Sequence, residues 1–355
     1  MEAKKRFDEY DLLRIIGTLF VVIGHSAYLN IQTGVGGVAY SLPADVASIY
    51  ANKFFEFERF LSGWVYGFHM PMFFMLSGLC FAIASKTSFD QLCIKKVRRL
   101  IIPFFVAGLF FMFPVKFLGN FYNRQSVFTA IGSFYSGGES GHLWFLPALF
   151  WCILVFWGIT RVTGKSIFLT LFVSLFANVF IAKLPFDFLL FKTGCGYIKW
   201  FGTGYFIHKL FQQYDFKFNS LKIVGGGALV LGILSVLEWK LSHNGQFRIL
   251  VNSLWILFIS IFVTRQFPGL MKSKLMRVLL RNSFYIYLFH DPLEYIVLRF
   301  AFHFNWLSFN FGYAIYVLFR TAGVVMASIV LGEFIEKFKR ILKDVNKKTK
   351  WCAAV

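Results

Sequence analysis

Charge is scarce in this chain. Only 15% of its 355 residues are Asp, Glu, Lys or Arg, and the acidic ones number 17 against 37 basic. A soluble domain carries about a quarter charged residues, so a compact aqueous domain is excluded. Cysteine is scarce too. Cys80, Cys93, Cys152, Cys195 and Cys352 are scattered, with no spacing that suits a metal site or a disulfide framework. No metal is therefore expected, and each cysteine reads as structural. There is also no basic stripe with interleaved stacking aromatics in a polar domain. The net charge of +20 consequently does not point to nucleic acid.

Apolar surface is what abounds. Hydrophobic residues make up 57% of the chain, mean hydropathy is +0.63, and 49 phenylalanines bring the aromatics to 21%. Such a composition suits contact with a lipid bilayer and its interfacial belts. A membrane span needs roughly 20 mostly apolar residues. Ten segments qualify: 12–29, 61–84, 100–119, 143–159, 166–182, 194–213, 221–239, 247–267, 282–303 and 311–335. The expected fold is all-α, a polytopic transmembrane bundle of about ten helices forming one domain over 1–355. A basic tail, 336–355, should lie in the cytoplasm. The short fourth and fifth segments are candidates for altered tilt or partial re-entry. Lys4, Lys5 and Arg6 before an apolar run would also fit a secretory signal. Arg14 inside that run, and the lack of a small-residue cleavage site after it, favour a retained span.

Orientation follows from where the cations fall. With the N-terminus inside, the cytoplasmic segments hold 25 Lys and Arg and the outer gaps hold 8. Positive charge accumulates on the cytoplasmic side of such proteins, so both termini are predicted inside. The longest outer loops, 30–60 and 120–142, could form a substrate mouth. Ordinary connection is the plainer reading of both.

An ionisable residue inside a span is costly unless paired or hydrated, and each one is a functional candidate. Arg14 and His25 share the first span, eleven positions apart, which is three helical turns and nearly one face. Asp11 stands three residues before Arg14, within pairing reach. His69, two residues before Pro71, is predicted to share the outer layer of His25, as paired imidazoles for proton transfer would. Snorkelling of Arg14 and a satisfied structural histidine are the blander alternatives. Lys95-Lys96-Val97-Arg98-Arg99 guards the inner mouth of span three, either as a phosphate clamp or as a topology signal. In span nine, His290-Asp291 precedes Pro292. Glu238, Arg299 and Arg320 lie in the outer halves of their spans, and Lys199 and His208 in span six; all are weaker candidates.

Taken together, these motifs resemble the acyltransferase-3 family of membrane acyltransferases over nearly the whole chain. Four carry the resemblance. They are Arg14 with His25; His69-Met-Pro-Met-Phe-Phe-Met-Leu-Ser-Gly78; the basic box ending Arg98-Arg99-Leu100 before Pro103; and Ser283-Phe-Tyr-Ile-Tyr-Leu-Phe-His290. His142-Leu143-Trp144-Phe145-Leu146 also resembles the family's fourth-span entry. The family's box often reads Arg-x-x-Arg, where this chain has Lys96-x-x-Arg99. The resemblance implies ten helices with cytoplasmic ends in a bacterial plasma (inner) membrane. It also implies transfer of an acetyl or other short acyl group from cytoplasmic acyl-CoA to an extracytoplasmic polysaccharide or glycolipid. Acetyl-CoA would be a donor substrate, with no permanently bound cofactor. On this basis His25, His69, Arg14 and Asp11 are expected at the catalytic centre, and Arg98, Arg99, Lys96 and Arg14 on the CoA phosphates. His290, Asp291, His142, Trp144 and Glu238 are expected around the acceptor. Some relatives add an extracytoplasmic hydrolase-like domain, and none is expected here. A proton-coupled secondary transporter or flippase is the alternative.

Overall fold

The structure is a computed structural model that describes residues 7–40, 49–83, 88–213, 221–241, 245–308 and 312–352. Lys4, Lys5, Arg6 and Pro43 lie outside the described residues, as do the ends of two predicted spans at 84 and 311. The principal helices are α1 (Asp8–Ser26), α2 (Ile49–Tyr66), α3 (His69–Ile83), α4 (Phe89–Leu118), α5 (Ser126–Phe134), α6 (Phe145–Val162) and α7 (Ile167–Ile181). They continue with α8 (Ile198–Gln213), α9 (Leu221–Leu241), α10 (Gly245–Gln266), α11 (Lys274–His303) and α12 (residues 312–352). Strand structure among the described residues is a small hairpin, Asn30–Gln32 with Gly37–Ala39. The chain is thus the all-α bundle its composition predicts.

Among the described residues, six helical stretches are long and apolar enough to cross a membrane: Glu56–Ile83, Phe89–Leu118, Gly141–Val162, Leu221–Glu238, Gly245–Gln266 and Gly312–Leu342. Helices α1 and α11 fall outside that set because of their charges. Asp8, Glu9, Asp11 and Arg14 crowd α1, while Arg281, Asp291, Glu294 and Arg299 interrupt α11. These two pack directly on each other. Each supplies the other with the buried polar contacts that lipid cannot.

Two predicted boundaries are corrected. The second predicted span, 61–84, is two helices that break at Gly67-Phe68, and the first of them begins at Ile49, inside the predicted outer loop. Pro71 explains the break. It has no N–H to bond back to Gly67, so the chain restarts at His69 and leaves Pro71 in a first turn, where no donor is needed. The third span begins at Phe89, not 100, so the basic box is inside the helix. That helix carries π-helical turns at Val97–Ile101 and Gly108–Met112. Each lies just ahead of a proline, Pro103 or Pro114, and the extra residue accommodates the lost backbone bond. A third π-turn, Phe319–Gly323, has no proline near it and holds Arg320.

The tightest helix crossing joins α3 to α8. A Cβ at Gly78 would sit 1.9 Å from the Phe201 carbonyl oxygen, and one at Gly204 would sit 1.9 Å from that of Met75. Only glycine permits backbones this close, as is usual where membrane helices meet. Beyond the outer end of α1 the hairpin is tied down by Gly37 N–H donating to the Phe121 carbonyl at 2.8 Å. Glu139 Oε2 accepts from both Thr33 Oγ1 (3.0 Å) and the Tyr122 hydroxyl (3.1 Å). Burial, with Glu139 beside it, pushes the Tyr122 hydroxyl above its ordinary range, so it remains a donor.

Candidate active site

Asp291 organises the centre of the bundle. On α11, its Oδ1 accepts from His25 Nδ1 at 3.1 Å, and its Oδ2 accepts from Lys116 Nζ at 2.9 Å and His142 Nδ1 at 3.1 Å. These partners come from α1, from the end of α4 and from the turn before α6, so four chain segments converge on one buried carboxylate. Each bond is charge-assisted and therefore strong. Lys116 is further held over the rings of Phe121 and Tyr295, 4.6 and 4.8 Å from their centroids.

The histidines divide by what their second nitrogen meets. His142 is fixed at both, since Nε2 lies 3.0 Å from the Leu288 carbonyl. The Tyr287 hydroxyl also donates to the His142 carbonyl at 2.7 Å, making this residue a brace. His25 gives Nδ1–H to Asp291, which leaves Nε2 with its lone pair and, among the described residues, no hydrogen-bond partner. His69 donates Nδ1–H to the Val65 carbonyl at 3.0 Å, so its Nε2 is likewise left as an acceptor. His290 donates Nδ1–H to the Ile286 and Tyr287 carbonyls and stands edge-on between His25 and His142, ring centroids 5.1 and 5.0 Å away. Its Nε2 is buried and, among the described residues, has no partner.

Two cavities reach this centre. The one on the side predicted to face outward, the outer cavity, is about 380 Å³ and is lined by His25, Tyr66, His69, His142, Trp144, Tyr197, Lys199 and Trp200, among others. The inner one, about 710 Å³, is lined by Asp11, Arg14, Lys96, Arg99, Arg161 and Lys165, with many apolar side chains above them. Val21, Met70 and Tyr287 line both, so they form the partition. Arg14 and His25, on one face of α1, stand at opposite ends of this path, and Arg14 pairs with Asp11 at 3.9 Å.

Behind His25 lies a second buried cluster. Arg320, 1% exposed, donates to the Tyr28 carbonyl (2.8 Å), the His25 carbonyl (3.3 Å), the Tyr316 hydroxyl and Glu294 Oε2 (3.5 Å). Glu58 accepts from Ser26 Oγ at 3.0 Å and from the Tyr313 hydroxyl. The last carbonyls of α1 have no partner within the helix. Arg320 supplies one at the residue whose imidazole meets Asp291.

Of the residues singled out in the sequence, His25, His69, His142 and Trp144 meet in the outer cavity, and Asp11, Arg14, Lys96 and Arg99 in the inner one. Arg98 is not among the residues lining either cavity. Asp291 and His290 lie behind the outer wall instead of on it. Glu238 lies on α9, which packs on α10, and lines neither cavity; its Oε1 is buried and, among the described residues, has no partner. Lys116, Glu58, Glu294, Tyr287 and Tyr313 were missed, and Arg320 was ranked too low. Lys116 could have been found, because it stands inside the predicted third span and not beyond it. Glu294 shows the helical spacing of three from Asp291. Glu58 has no such signal, being brought in by a helix the sequence assigned to a loop.

Fold and site together define a polytopic helical membrane protein with a buried His–Asp centre on the wall of one of two adjoining cavities. The chain belongs to the acyltransferase-3 family, whose model, an acyltransferase domain, matches residues 7–333. It is therefore a membrane acyltransferase. No curated protein and no solved structure matches it.

Proposed function

We propose that the protein is an O-acetyltransferase of a bacterial plasma membrane. It moves an acetyl or other short acyl group from cytoplasmic acyl-CoA to a hydroxyl of an extracytoplasmic polysaccharide or glycolipid. One observation carries this reading. A cation-lined cavity and an aromatic, histidine-lined cavity approach the His25–Asp291 pair from opposite ends of α1, with Val21, Met70 and Tyr287 between them. An anionic donor suits the first, and a sugar, with faces that stack on Trp144, Tyr197 and Trp200, suits the second. The thioester carbonyl would reach the partition along the apolar upper part of the inner cavity. His25 Nε2 takes the acceptor hydroxyl proton as its oxygen attacks that carbonyl, and the CoA thiolate departs. Asp291 holds the ring in the tautomer that leaves Nε2 free and stabilises the imidazolium formed. Lys116 and His142 hold Asp291 in turn.

The test is transfer of radiolabel from acetyl-CoA by the purified protein in vesicles that contain the producing cell's glycolipid fraction. Label should enter the glycan with stoichiometric release of free CoA. A transporter or flippase would release none, and absence of release from well-folded protein would remove the reading.

A further inference from the structure

The inner cavity is lined by two cations that lie outside the basic box. Arg14 on α1 and Lys96 and Arg99 on α4 line it. Arg161, in the last turn of α6, and Lys165, in the turn to α7, line it as well. Among the described residues neither Arg161 nor Lys165 is in an ion pair. Trp157 lines the cavity too, with the Arg161 guanidinium 4.9 Å from its ring centroid and the Phe89 ring at 5.0 Å. Lys165 adopts φ +66°, a left-handed conformation that a lysine rarely takes, held by its N–H to the Thr160 carbonyl at 3.1 Å. Among the described residues Asp11 is the one carboxylate lining the cavity, and it is paired with Arg14.

Five cations from three parts of the chain on one cavity, with an aromatic ring beside one of them, match a ligand with more than one phosphate group and a planar base. We propose that Arg161 and Lys165 bind the 3′-phosphate of the acyl-CoA nucleotide, with Trp157 against its adenine, while Arg14, Lys96 and Arg99 hold the diphosphate. This rests on the acyl-CoA reading above and adds a nucleotide subsite to it. The subsite selects the 3′-phosphorylated donor over its dephospho form.

Equilibrium binding to the full-length, detergent-solubilised protein tests this with three probes: CoA, 3′-dephospho-CoA and adenosine 3′,5′-bisphosphate. The wild type should prefer CoA over dephospho-CoA by about tenfold, the scale of one charge-assisted phosphate contact. Arg161→Ala and Lys165→Asn should each bring that ratio towards one while leaving dephospho-CoA affinity nearly unchanged. Asparagine is used at 165 because it tolerates the left-handed conformation. Adenosine 3′,5′-bisphosphate should bind the wild type and lose affinity in both variants. Arg277→Ala, an exposed change that lines neither cavity, should keep the wild-type ratio. Both subsite positions are exposed, so folding is expected to survive, and equal melting midpoints would verify it. Equal wild-type affinity for CoA and dephospho-CoA, or an unchanged ratio in both variants, overturns the subsite while the donor reading stands. Failure of the folded wild type to bind CoA at all would overturn both.

Discussion

At the scale of single residues, His25 and Asp291 are separable by experiment. His25→Ala removes the base without disturbing the donor cavity. The variant should insert normally and bind CoA as before, with acetyl transfer falling about a hundredfold to ten-thousandfold, the usual cost of a missing general base. Wild-type transfer by this variant at matched abundance would remove the proposed centre. Asp291→Asn is a different lesion. It keeps the volume but leaves Lys116 without its counter-charge, and breaking a buried pair typically costs about 3–5 kcal/mol. We expect both a lower melting midpoint and a lower kcat. An unchanged midpoint would show that Lys116 finds another partner. His69→Ala should impair transfer less than His25→Ala, because its imidazole is anchored by the Val65 carbonyl at the end of α2 and not by Asp291.

At the scale of elements, the outer cavity exists because α3 and α8 cross closely. His69, Met70 and Pro71 come from the first, and Tyr197, Lys199 and Trp200 flank the start of the second. Gly204→Ala places a methyl against the Met75 carbonyl and must spread the pair. Loss of monodisperse protein on size exclusion is the expected result, and a folded variant with normal transfer would show that the crossing can relax. Helix α1 poses the complementary question. Its His25 carbonyl and the Tyr28 carbonyl just beyond its end rest on Arg320, itself compensated by Glu294, so the guanidinium fork sets the position of His25. Arg320→Lys keeps the charge but not the fork. The folded variant should bind CoA normally and lose about tenfold to a hundredfold in kcat, as small misplacements of a catalytic group do. A purely structural role would lower the melting midpoint and leave kcat per folded molecule intact.

For the whole molecule, the two cavities make sense only in a bilayer with a defined orientation. The inner cavity collects Arg14, Lys96, Arg99, Arg161 and Lys165, all at the end where the cation count predicts cytoplasm. Single cysteines introduced into a cysteine-free background test this. A cysteine at Lys272 should react only with reagent inside the cell, and one at Arg124 should react from outside. External labelling at 272 would invert the assignment of both cavities.

Much of this was written locally and could be read. Hydropathy and cation placement define the bundle and its predicted orientation, because burial in lipid constrains every residue of a span in the same way. The spacing of Arg14 and His25 on one face follows from helix geometry alone, and both stand where that geometry puts them. The sequence could not say which partners those residues would meet. Asp291 is 266 positions from His25, 149 from His142 and 175 from Lys116, and only packing of α1, α4 and α11 brings them together. Arg320 and Glu58 are further cases, since their roles depend on a helix end and on a segment that hydropathy assigns to a loop. The local signal for an ionisable residue in a span is its cost. What offsets that cost is a contact between distant segments, and tertiary structure alone decides it.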